Sequence, residues 1–103
     1  ISFGGLNAAY FAAQDAPFQN YALLSPVTYP CKELNQKIIF GPQRGLRIFL
    51  STGRQDAERY VDELLALYQS KDFVLQELRT EGGHDFANWQ AQLETLLNFL
   101  LST

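Results

Sequence analysis

Ser2, Asp56 and His84 are the residue types, in chain order, that nucleophilic acyl transfer needs. A free serine hydroxyl is a poor nucleophile at neutral pH. Attack on an ester carbonyl therefore needs a base to take its proton and a carboxylate to orient that base. His84, the single histidine among 103 residues, would take the Ser2 proton and return it to the leaving alcohol. Asp56 would hold the imidazole in the required tautomer and stabilise its cation. The backbone N–H of Phe3, at the positive end of a helix, would meet the oxyanion of the tetrahedral intermediate. A second donor normally comes from an earlier loop, and these residues hold none.

Each residue also has a plainer role. Ser2 could cap the helix that follows it, and Asp56 could cap a helix starting at Ala57. His84, between Gly82-Gly83 and Asp85, could be a turn residue. Asp85 fits the N-cap of the last helix better than a catalytic acid. Glu58 and Asp62 read as solvated helix-face charges, with Glu58 in reserve for the acid. Cys31, the one cysteine, reads as a small buried apolar residue. It excludes an internal disulfide and leaves the redox compartment open. The order serine, acid, histidine, each at an element boundary, shifts the balance towards a triad.

The elements that must hold these groups follow from the apolar spacing. Ser2-Phe3-Gly4-Gly5 before an alanine-rich run is a sharp turn into a helix, with Leu6, Ala9, Tyr10 and Ala13 on one face. The glycines suit a helix start lying close to a neighbouring strand. Ala16-Pro17-Phe18 breaks the helical pattern, and Tyr21 to Leu24 is a short buried-type strand ended by Ser25-Pro26. Val27 to Pro30 is loop, and Cys31 to Phe40 a short helix stopped by Gly41-Pro42. Leu46 to Leu50 is a strand running into a loop at Ser51-Thr52-Gly53. Ala57 to Ser70 is an amphipathic helix burying Ala57, Tyr60, Val61, Leu64, Leu65 and Tyr68. Phe73 to Leu78 is a strand near a sheet edge, and Phe86 to Leu101 one helix with a stripe of Phe86, Trp89, Leu93, Leu96, Leu97 and Leu100.

Strands alternating with helices predict a three-layer α/β fold, a small parallel sheet of about three strands with flanking helices. Residues 1–103 form one partial domain, beginning at the turn that carries Ser2. The first strand lacks a neighbour on one side, an edge that invites pairing with another polypeptide, a second copy or an amino-terminal half. Composition fits a globular chain at 47% hydrophobic residues, while a net charge of −3 with interleaved signs argues against nucleic acid or an anionic membrane. No apolar run reaches membrane-spanning length. Histidine and cysteine are too few for a zinc site, and Gly4-Gly5 lacks the spacing and lysine of a phosphate loop, so no metal or cofactor is expected.

The stretch Ser2-Phe3-Gly4-Gly5-Leu6 resembles the nucleophile elbow of an esterase family of α/β-hydrolases. That family includes enterochelin esterase-like, feruloyl and acetyl-xylan esterases and esterase D. Leu24-Ser25-Pro26 resembles the strand end that follows, and Glu81-Gly82-Gly83-His84-Asp85-Phe86 with Trp89 resembles the family's G-G-H-D-[FW]-x-x-W segment. The likeness spans the whole chain but only the carboxyl-terminal half of the family's domain. It implies Ser2 as nucleophile, His84 as base and Asp56 as acid, acting on a small-molecule or polysaccharide-linked ester. It further implies that the strands are the last three of eight, and that the final helix crosses to the opposite face. The central strand, the first elbow glycine and the second oxyanion donor would lie upstream, leaving this chain inactive alone. The alternatives are a non-catalytic α/β piece pairing through its open edge, and a βαβ small-ligand module without covalent chemistry.

Overall fold

Branched and aromatic residues run through Arg47-Ile48-Phe49-Leu50, and they open strand β2 (Arg47–Gly53). In the computed structural model, which describes residues 1–14, 18–28 and 32–102, β2 lies between β1 (Asn20–Leu24) and β3 (Val74–Thr80). Both pairings are parallel, with Tyr21 and Leu23 level with Ile48 and Leu50, and Ile48 level with Leu75. The expected break at Ala16-Pro17, the end of the loop at Pro30 and Cys31 itself lie outside the described residues.

Alternation along the strands decides what each face meets. Tyr21, Leu23, Ile48 and Leu50 point to one side, where helices α1 (Phe3–Ala13), α2 (Lys32–Phe40) and α3 (Glu58–Tyr68) supply Ala9, Ala12, Leu34, Ile38, Val61, Leu64 and Tyr68. Leu24 and Phe49 point to the other and meet Leu96 and Phe99. The result is three layers, with the carboxyl-terminal helical segment alone on its face. Fully burying one of these leucine or isoleucine side chains is worth about 1.5–3 kcal/mol. Removing Leu50, which is 0% exposed at the centre of the sheet, would strip the core that fixes all three strands.

Two expectations are corrected. Ser51-Thr52-Gly53 is not loop but the buried end of β2, paired with Leu78, Arg79 and Thr80. The strand continues through these small residues because β3 runs equally far alongside, and the Gln92 amide bonds the Ser51 hydroxyl and the Thr52 carbonyl. The last helix is not one rod but α4 (Phe86–Ala91) and α5 (Leu93–Leu101), joined at Gln92. There the Gln92 N–H bonds the Trp89 carbonyl three residues back, a tightened turn. Gln92 is fully buried, its amide bridging β2 and Thr80 of β3. The apolar stripe turns accordingly: Leu96 and Phe99 face the sheet, while Phe86, Leu93 and Leu97 are exposed.

Candidate active site

The three chemistry-bearing residues reach one rim of the sheet by separate routes. Asp56 follows β2 by three residues and His84 follows β3 by four, both at strand carboxyl ends. Ser2 precedes α1 and is tied to the end of β1: its N–H donates to the Leu24 carbonyl at 3.1 Å, and its carbonyl accepts from Gly5 and Val27. These bonds hold Ser2 at φ 56, ψ −124. Such a backbone costs an L-residue about 1–3 kcal/mol and persists only where its surroundings over-determine it. Gly5 lets the helix start this close, since a Cβ there would lie 2.8 Å from the Pro26 Cα and Cβ.

Ser2 occupies the N-cap position of α1, yet its side chain makes no cap hydrogen bond. Its Oγ instead lies 3.0 Å from Nε2 of His84, and Nδ1 of His84 lies 2.9 Å from Oδ2 of Asp56. Both distances fall within proton-transfer reach. With Nδ1 protonated, as an ionised carboxylate requires, Nε2 is left as acceptor for the Ser2 hydroxyl. Asp56 is held on its other oxygen too, where Oδ1 accepts the Ala57 N–H at 2.6 Å. The capping expectation for Asp56 is corrected: Ala57 stands at the N-cap of α3, which starts at Glu58, and Asp56 bonds only the N–H of that cap residue. Burial pushes the Asp56 carboxyl up, but bonds from the Ala57 N–H, the Ser25 hydroxyl and the His84 ring outweigh it and hold the group below its ordinary range. Phe3 opens α1 directly after Ser2, which sets its N–H at the positive end of the helix.

Neighbouring carboxylates have other partners. Asp85 caps α4, its Oδ1 accepting the Asn88 N–H at 2.9 Å. Glu58 and Asp62 are not simply solvated: both bind Arg79 on β3, which turns Glu58 away from His84.

The loops carrying acid and base are clamped together. Gln55 N–H donates to the Gly82 carbonyl and Arg54 N–H to that of Thr80. A Cβ on Gly53 would lie 1.9 Å from the Gly82 oxygen. We expect Gly53→Ala to cost about 3 kcal/mol by overpacking and to part Asp56 from His84. Chemical denaturation checks this, and a variant as stable as the parent would show that the loops do not meet so closely.

Among known proteins, no family model, no curated protein and no solved structure matches this chain. Trp89 and Ser25, which the sequence offers as parts of the family likeness, pack against the site. Trp89 sets its ring edge-on to His84, centroids 5.2 Å apart, and its Nε1–H donates to the Ser25 hydroxyl at 2.9 Å. A groove of 440 Å³ is lined by Ile1, which precedes Ser2 in the chain, and by Leu24, Phe86, Trp89, Leu93 and Leu96. Among the described residues no cluster of metal-ligating side chains occurs, and no helix is long and apolar enough to cross a membrane.

Proposed function

We propose that this chain carries the working triad of a serine carboxylic-ester hydrolase and corresponds to the carboxyl-terminal half of an α/β-hydrolase domain, as its resemblance to the esterase family implies. One observation carries the reading: the Ser2 hydroxyl leaves its own helix uncapped and is directed to an imidazole whose far side rests on a carboxylate. A serine kept for capping would do the reverse.

In the proposed reaction the Ser2 Oγ attacks the ester carbonyl carbon as its proton passes to Nε2 of His84. The carbonyl oxygen takes up the charge and is met by the Phe3 N–H. Collapse breaks the carbon–oxygen bond to the leaving alcohol, which receives the proton from His84. Water then repeats the sequence on the acyl-serine, releasing a carboxylic acid and restoring the hydroxyl. The apolar groove that Ile1 and Trp89 help to line suits an apolar portion of the ester. The test is covalent capture by a fluorophosphonate, applied to the chain with whatever upstream sequence its gene supplies. Peptide mass spectrometry should find the phosphonyl group on Ser2; capture at another residue would end the reading.

A second reading is favoured by the outer edge of β1. Tyr21, Leu23 and Leu24 are buried, yet among the described residues the strand pairs only with β2. An edge strand presents unpaired backbone N–H and C=O groups that another strand can pair with, so the chain would associate there with a second copy or another polypeptide. Sedimentation should show concentration-dependent association at micromolar levels. A well-folded monomer throughout that range would remove this reading without touching the first.

A further inference from the structure

The loops that carry Asp56 and His84 leave from strand ends held by one buried side chain. Gln92, at the joint of α4 and α5, is 0% exposed, and its amide is bonded at both ends. Its Oε1 accepts the Ser51 hydroxyl at 2.7 Å. Its Nε2 donates to the Thr52 carbonyl at 3.2 Å and to the Thr80 hydroxyl at 2.9 Å. The Thr80 hydroxyl donates in turn to Oδ1 of Asn88 on α4. Thr52 fixes the orientation of the Gln92 amide, since a flipped carbonyl would face a second acceptor. Thr52 stands four residues before Asp56, and Thr80 four residues before His84. The His84 loop runs from β3 to α4, so both of its ends are tied to this amide, one through Thr80 and the other through the helix itself.

We propose that Gln92 is a positioning residue: by locking the ends of β2 and β3 to the helix that follows His84, its amide keeps the Asp56 carboxylate against Nδ1 of His84. This deepens the hydrolase reading and rests on it for its catalytic meaning, though not for its structural one. The parallel ladder already holds β2 and β3 side by side, but it does not hold α4. Gln92 adds that restraint. Any shift of α4 along the sheet would leave the Ser51 hydroxyl, the Thr52 carbonyl or the amide itself buried without a partner, which is costly. An apolar side chain at this point would fill the space and leave the helix free to slide.

The test compares Gln92→Met, which keeps the length of the side chain and loses all its bonds, with Thr80→Val, which keeps the shape of the strand and loses the hydroxyl that Gln92 and Asn88 share. Ile38→Val, in the core on the opposite face of the sheet, controls for lost stability alone. Each protein is measured equally far below its own melting temperature. Because the chain has a single histidine, its ring nitrogen signals in NMR report one tautomer without ambiguity. With the imidazole neutral, the parent and Ile38→Val should carry the proton on Nδ1, where Asp56 holds it. Gln92→Met and Thr80→Val should show part of it moved to Nε2, the site an imidazole released from its carboxylate prefers in water. In the protein as its gene encodes it, Gln92→Met should lower kcat for an activated ester by about 10–100-fold with KM little changed, as a misplacement of about 1 Å predicts. Ile38→Val should turn over like the parent. Ring signals at the parent positions in both folded variants overturn the proposal; should Gln92→Met fail to fold, Thr80→Val decides alone. Because the tautomer is read without turnover, it separates failure of this inference from failure of the hydrolase reading, which capture at Ser2 decides.

Discussion

Ser2→Ala should abolish capture by a fluorophosphonate and lower ester turnover by about 10⁴–10⁶-fold, the range seen when a triad nucleophile is removed. The expectation rests on geometry. Ser2 Oγ is the one hydroxyl within hydrogen-bond distance of Nε2 of His84 among the described residues, so no neighbour stands ready to replace it. The fold should survive, because the side chain makes no cap bond and the turn is held by the Ser2 backbone N–H and carbonyl. Circular dichroism and denaturation should match the parent closely. Labelling that persists in a folded Ser2→Ala protein would remove the triad reading.

Asp56→Asn should lower kcat by about 10⁴-fold while leaving the fold in place, because an amide can donate to Nδ1 and so stabilise the wrong imidazole tautomer. Glu58→Gln is the control. Glu58 pairs with Arg79 and not with His84, so its loss should leave turnover nearly unchanged. A reversal of the two effects would move the acid to Glu58. The same aspartate variant has a signature in stability. The folded-state pKa of Asp56 is depressed, so its contribution is present above the ordinary carboxylate range and is lost as pH falls through the folded value. The stability gap between parent and Asp56→Asn should therefore be widest near neutral pH and close progressively below about pH 4. A gap that stayed constant into acid would show that Asp56 gains nothing from its hydrogen bonds.

The local elements were legible because their signals are local. Leu34 and Ile38 one turn apart, Tyr60, Val61, Leu64 and Tyr68 along one stripe, and the branched run at Ile48 to Leu50 all lie buried where their spacing predicts. The last helix was misjudged for a reason that spacing cannot carry. A helix interrupted at Gln92 has the same composition as a continuous one, and what interrupts it is a buried amide bridging two strands that are 40 and 12 residues distant. Its real buried face, Leu96 and Phe99, differs from the stripe a straight helix would present. Ser51 to Gly53 read as loop because small polar residues favour turns, and they are strand because β3 and Gln92 satisfy them.

Residue type and order, taken alone, determined the parallel α/β class and named the hydroxyl, imidazole and carboxylate, since each stands at a boundary that hydrophobic periodicity marks. Sequence left a plainer use beside the catalytic one at each of those residues, because a serine or aspartate before a helix is chemically fit both to cap it and to serve a histidine. Only the tertiary structure chose between them. It did so by closing a contact across 82 residues from Ser2 to His84 and another across 28 from His84 to Asp56, distances over which no local propensity acts. The strained backbones of Ser2 and Ser25 are of the same origin: neither residue prefers its φ, and each is held there by hydrogen bonds from segments that only folding brings alongside.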